Sequence, residues 1–390
     1  MSIRDSAKLF GPAWIALLAD SDAASILGGI SSGEEFGYRL IWFLLVLSIP
    51  LFIIQEASGR LGAVSNRGIG TLIRENYSRR TSILATIPIF VVDFFTYLSE
   101  YAGIAIGSVL VGINPLVGLV MFFGLHVLVI VTRNYQITEK SLILTSVILI
   151  LSSLIIVAPR INSGESLVYF SSSRNYLFYL AINVGAVVTP PCMLIYQSSA
   201  TATKYSSLRI DTSKKVSWLN LETVLGSIVT EIVVVIAEIV GTVLGGVDPE
   251  DPLKLGNVLG QLRFIFGVTL ITAGFLTLVV VSLSSAWGVL EATNRNSYSN
   301  TIKLYVLESI PAILVILIMG SNYSTIVNFA LTLLSLSPIV VALPGILIGI
   351  LVSKREIMGG YAYGKARLIL YFVTIALITL GGIIGIIELA

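Results

Sequence analysis

Eleven apolar windows follow one another along the chain, at 10–31, 39–60, 82–109, 115–133, 141–158, 176–199, 217–245, 259–288, 303–320, 324–352 and 367–388. A helix needs about 20 predominantly apolar residues to cross the hydrocarbon core of a bilayer, and there every backbone N–H and C=O must find its partner inside the protein. Such a chain is expected to fold as an all-α polytopic membrane protein with 11 transmembrane helices. The connections are short, the longest being 60–81, 159–175 and 246–258, so no separate soluble domain is expected. The bilayer itself is the expected partner. Charged residues make up 12% of the chain, where soluble domains carry about 25%. The mean hydropathy is +0.93. This excludes a soluble enzyme or a disordered chain. Cys192 has no second cysteine to pair with, and a net charge of +2 offers nothing to a nucleic acid. No obligate protein partner is evident. The first window carries Asp20 and Asp22 in its middle, which a cleavable signal would avoid.

Charge placement orients the spans. With a cytoplasmic N-terminus, 19 of the 24 basic residues lie in inside segments, while only Arg39, Arg160, Arg174, Lys254 and Arg263 lie outside. By the positive-inside rule, the N-terminus is cytoplasmic and, after an odd number of spans, the C-terminus is extracytoplasmic, in the cell (plasma) membrane.

Ionisable groups inside a span cost about 2.5–3.5 kcal/mol each on insertion scales, so those present tend to face a cavity or carry function. Span 1 holds Asp20, Asp22 and Ser25 near its middle, followed by Gly28 and Gly29. Span 6 carries Gly185-Ala186-Val187-Val188-Thr189-Pro190-Pro191-Cys192 at similar depth. Two consecutive prolines lack amide hydrogens, so the carbonyls of Ala186 and Val187 would lose their helical partners and the helix should break. Irregular backbone at membrane depth survives where it is buried or lines a cavity, and its freed carbonyls suit a hard cation, with Thr189 adding a hydroxyl. Polar or broken spans 1 and 6 occupy matching places in two five-span halves, the pattern of a transporter site at an inverted-repeat interface. The halves would be residues 1–175 and 176–354, with helix 11 and the C-terminus in 355–390.

Further acids stand within the spans: Glu56, Asp93, Glu100, Glu222, Glu231, Glu238 and Glu308. With no matching set of intramembrane Lys or Arg, some must be protonated, solvated or close to bound cations. Asp93 and Glu100 lie seven residues apart on one helix face, and Glu231 and Glu238 repeat the spacing, so either pair could line an ion or proton route. Each could equally be hydrogen-bonded to a neighbouring helix, and Glu56 reads as interfacial. His126, the one histidine, reads as a packing residue.

Several stretches are similar to the NRAMP family of divalent metal transporters. These are Gly11-Pro12 with Asp22, Phe36-Gly37-Tyr38 with Trp42, Gln55 to Val64, Ser99-Glu100-Tyr101-Ala102-Gly103, and Gly185-Ala186 through Pro190. The resemblance implies a 5+5 inverted repeat of the LeuT/APC type with broken helices 1 and 6, and a metal site at Asp22, Ser25, Ala186 and Thr189, with Asp20 as a second charge. Glu100 falls on the family's acidic motif in span 3, and with Asp93 and Glu231, which the spacing singles out, it is a candidate ion or proton pathway. Where the family has Asp-Pro-Gly-Asn in span 1, this chain has Asp22-Ala23-Ala24-Ser25; where it has Met-Pro-His in span 6, this chain has Thr189-Pro190-Pro191. Tyr97 replaces the acid that normally precedes the span 3 glutamate by three residues.

Loss of the thioether removes a ligand that selects softer metals, and a site of carboxylate, hydroxyl and carbonyl groups suits Mg2+ or Mn2+. The NRAMP-related magnesium transporters resemble this chain in lacking the methionine. The expected function is therefore secondary transport of Mg2+ and/or Mn2+ by alternating access, with no resident cofactor, the metal being cargo. Two rivals share the fold: a proton-coupled Mn2+/Fe2+ importer of the ordinary kind, and a sodium-coupled symporter of an organic solute. An intramembrane metalloenzyme would want a histidine cluster that the sequence lacks.

Overall fold

A computed structural model describes residues 8–131, 135–157, 166–187, 191–244, 248, 251–320, 322–334 and 337–389. Among these the regular structure is helical. In chain order the helices are α1 (Pro12–Leu18), α2 (Ala23–Phe36), α3 (Ile41–Ser65), α4 (Ile69–Asn76), α5 (Arg79–Leu110), α6 (Pro115–Val131), α7 (Tyr135–Val157), α8 (Arg174–Val187) and α9 (Pro191–Ser206). They continue with α10 (Thr212–Gly241), α11 (Pro252–Leu259), α12 (Arg263–Thr293), α13 (Tyr298–Met319), α14 (Tyr323–Leu334), α15 (Ser337–Ser353), α16 (Arg355–Met358) and α17 (Lys365–Leu389).

Among the described residues, seven stretches of helix are long and apolar enough to cross a membrane alone, and up to nine if each of two bent pairs is counted as one span. Several of the eleven apolar windows are divided between two helices. The first window is α1 and α2, inclined at 46° to each other. Window 176–199 is shared by α8 and α9, and window 324–352, which reads as one span, holds both α14 and α15. α6 is apolar but only 17 residues long.

The most extensive helix pair is α5 with α12, and α10 packs against α2 and α3. The outer surface presents Leu84, Val120, Leu307 and Ile318, as expected where lipid is the solvent. Side chains assigned to one aqueous face meet one another. Arg39 lies 5.1 Å over the Tyr169 ring, and Asn175 donates to Glu35 at 2.6 Å. Among residues expected on the other face, Lys204 pairs with Glu139 at 2.8 Å, Lys354 lies 4.9 Å over Tyr77, and Glu56 pairs with both Arg60 and Arg367. Apart from Glu56 and Arg60, which share α3, an error of one span between two partners would have put them on opposite sides of the bilayer.

α2 and α10 cross backbone to backbone. A Cβ on Gly33 would stand 1.9 Å from the Glu238 carbonyl oxygen, and one on Gly241 2.0 Å from that of Ile30. Small residues permit such contact, the main source of helix association where lipid is as apolar as leucine.

The amino ends of helices leave N–H groups without partners, and here glutamates from other helices accept them. Glu222 of α10 accepts from Gly11 and Trp14 at the start of α1, both at 2.8 Å, and Glu238 accepts from Leu40 at the start of α3 at 3.0 Å. Glu238 therefore caps a helix. Replacing Glu238 by alanine is expected to destabilise the fold by about 1–3 kcal/mol, the cost of orphaning a buried N–H. Thermal unfolding in detergent measures this, and Glu238→Gln, which keeps an acceptor, should lose less.

Candidate functional site

Between α1 and α2 the chain leaves the helix at Ala19 and re-enters it at Ala23. Asp22 caps α2 in an extended conformation, φ −78° and ψ 177°, its Oδ1 accepting from the Ser25 N–H at 2.6 Å. Glu100 of α5 accepts from the Ala23 N–H at 2.9 Å and from the Ser99 hydroxyl at 3.0 Å. Two carboxylates thus occupy the positive end of α2. α5 comes this close because Gly103 faces the Ala23 methyl group; a Cβ there would lie 2.3 Å from it.

Hydroxyls take up the carbonyls left over at the end of α1. Thr230 of α10 donates to Leu17 at 2.6 Å, Thr277 of α12 to Ala19 at 2.6 Å, and Ser25 to Asp20 at 2.9 Å. The Ser21 hydroxyl donates in turn to the Thr230 carbonyl at 3.3 Å. Ala23-Ala24 in place of Pro-Gly consequently does not prevent the break. Thr230 and Thr277 were missed in reading the sequence; hydroxyls in the middle of apolar windows 217–245 and 259–288 were the available signal.

The break gathers five of the expected residues. Asp20, Asp22, Ser25, Glu100 and Glu231 are all buried. Asp20 interacts electrostatically with Asp22 and Glu231, and Glu100 with Asp22. Both oxygens of Asp20 and both of Glu231 lack a hydrogen-bond partner. Asp93 belongs to another polar group, interacting with Glu308 of α13 near Tyr97 and Ser285. Ala186 lies in the last turn of α8, whose Gly185 carbonyl accepts from Ser337 of α15 at 3.1 Å. α9 begins at Pro191, a place where a proline's missing N–H costs nothing. Thr189 lies outside the described residues. Among the described residues no three His, Cys, Asp or Glu side chains converge as a ready-made metal cage.

The remaining intramembrane groups have structural partners. His126 is buried between the Tyr101 hydroxyl at 3.4 Å and Ser282 at 3.1 Å, its ring 4.5 Å from that of Tyr305, which makes it the packing residue expected. Glu56 is fully buried in the protein, ion-paired at 2.5 Å to Arg60 and 2.9 Å to Arg367 and accepting from the Tyr363 hydroxyl. Two cavities, of about 450 and 310 Å3, share Thr203. Lys8, Glu139 and Lys204 line the larger, Trp287 and Glu291 the smaller.

Known proteins carry the same architecture. A manganese transporter of Eremococcus coleocola, solved with an aromatic bis-isothiourea compound, superposes with a TM-score of 0.81 at 17% identity over 98% of this chain and 87% of that one. Mhp1, a nucleobase-cation-symport-1 family transporter in a closed conformation, gives a TM-score of 0.55 at 17% identity over 97% of this chain and 91% of that one. In sequence, the divalent metal cation transporter MntH of Chromohalobacter salexigens is 25% identical over 295 residues, 70% of this chain and 68% of MntH. The model of the natural resistance-associated macrophage protein-like family matches residues 13–388, and with that span the chain belongs to the Nramp family of membrane transporters.

Proposed function

We propose that this protein is a secondary transporter of divalent metal cations that carries Mg2+ as well as Mn2+. The observation that supports it is the break between α1 and α2, where carboxylates of Asp20, Asp22, Glu100 and Glu231 are collected in an otherwise apolar bundle. An anionic substrate would meet charge of its own sign there, which speaks against an organic acid. Asp22 is the principal ligand, supported by Ser25 and the Ala186 carbonyl, with Thr189 and Asp20 completing the set. None of these supplies sulfur or imidazole, so the site favours hard ions.

The cargo crosses at the interface of two inverted repeats, 1–175 and 176–354, while the bundle of spans 1, 2, 6 and 7 moves against the rest. The N-terminus and the two cavities sharing Thr203 face the cytoplasm, in agreement with the basic residues there. Tyr97 stands where an acid would serve a proton route, so uptake is driven by the membrane potential, worth about 2.3 kcal/mol per charge per 100 mV and twice that for a divalent ion.

The second reading is proton-coupled Mn2+/Fe2+ import, whose metal is supported by the Eremococcus protein being a manganese transporter. Flux into proteoliposomes under an inside-negative potential separates the two. Saturable Mg2+ entry that competes with Mn2+, without lumenal acidification, is the expected result. Mn2+ entry that Mg2+ neither accompanies nor inhibits would establish the second reading.

A further inference from the structure

Four carboxylates surround the α1–α2 break, and they divide into two kinds. Asp22 and Glu100 are engaged by backbone N–H groups of α2. Asp20 and Glu231 are engaged by nothing: each is 0% exposed, and none of their four carboxylate oxygens has a hydrogen-bond partner. Glu231 also stands apart from its neighbours on α10, since Glu222 and Glu238 each cap another helix. The groups acting on Asp20 are themselves acidic, Asp22 and Glu231. Ionised carboxylates taken out of water are retained only where paired or bound to a metal.

We propose that Asp20 and Glu231 form a second cation subsite beside Asp22, which takes a hydrated hard divalent ion. Two carboxylates carry the charge that one divalent ion neutralises, whereas a monovalent ion would leave one charge buried. Mg2+ is usually held by one or two carboxylates with water filling the other positions. That describes this pair better than a dehydrated cage does, since no third acidic, histidine or cysteine side chain among the described residues converges with it. The nearby hydroxyls of Ser21 and Thr230 donate to carbonyls and not to either carboxylate. Glu231, on α10 and interacting electrostatically with Asp20, then becomes the residue that sets preference for hard ions. The inference rests on the divalent-cation reading above but assigns its own ligands.

The experiment measures Mg2+ and Mn2+ binding and cation-dependent thermal stabilisation of the purified full-length protein in detergent, for the wild type, Asp20→Asn and Glu231→Gln. Each amide variant should bind Mg2+ at least tenfold more weakly and lose most of the Mg2+-induced rise in melting temperature. Without divalent ions, both should melt at or above the wild-type temperature, because a buried carboxyl group with no hydrogen-bond partner is gone. Glu231→Asp, which keeps the charge, should recover part of the binding. Wild-type Mg2+ affinity in both amide variants would overturn the subsite while leaving divalent transport standing. Absence of Mg2+ binding by the wild type would overturn it too, and absence of Mg2+ and Mn2+ flux in proteoliposomes would separately end the transport reading. Failure of both amide variants to fold also counts against it, because the carboxylates would then support the break without a cation.

Discussion

Exchanging Asp22 for asparagine should cut divalent-cation uptake by roughly 100-fold or more, about 3 kcal/mol at 1.4 kcal/mol per decade, while leaving the protein folded. The two consequences separate because Asp22 does two things. Its carboxylate caps α2 through the Ser25 N–H at 2.6 Å, and asparagine caps a helix about as well as aspartate does. The negative charge that attracts a divalent ion is lost entirely. Asp22→Ala should lose uptake to the same degree and in addition about 1 kcal/mol of stability from the missing cap. Flux in proteoliposomes and melting temperature in detergent, measured on both variants, test the assignment. Uptake by Asp22→Asn within a few-fold of wild type would remove Asp22 from the ligand set.

A larger effect on folding is expected at Gly33. Valine there would drive its Cβ to within 1.9 Å of the Glu238 carbonyl oxygen, at the crossing where Gly241 already meets Ile30. Neither backbone can yield without separating α2 from α10 and pulling Glu238 off the Leu40 N–H. The cost should exceed about 4 kcal/mol, the range reached when a packed core is forced apart. Loss of monodisperse protein on size exclusion is the expected outcome. Gly124→Ala is the control, since a Cβ there meets nothing within 4 Å, and it should stay within about 0.5 kcal/mol of wild type.

Hydropathy made the membrane architecture legible, because a bilayer imposes one requirement on every span, and a polar centre marked span 1 as the site, while its break was implied by the family resemblance. The division of window 324–352 was not legible: its apolar run has no charged residue to mark where α14 gives way to α15. Spacing identified which acids share a helix face but not what stands opposite that face. Glu231 and Glu238 therefore looked equivalent, although one faces Asp20 and the other caps α3. Asp93 looked like a companion of Glu100 for the same reason and interacts instead with Glu308. The hydroxyl that supports the end of α1 comes from 213 residues away, a pairing that no local pattern encodes.

Asp22 Oδ1 serves the α2 amino end, and an ion drawing on that oxygen would be a competitor of the helix. An ion held at Asp22, as proposed, would draw charge from the oxygen that accepts the Ser25 N–H and so weaken the bond that starts α2. Ser25 transmits the change: its N–H faces Asp22 and its hydroxyl the Asp20 carbonyl, so slack in one linkage reaches the other through a single residue. Affinity in such an arrangement is tuned by anything that makes α2 easier or harder to unwind, including substitutions that never touch the cargo.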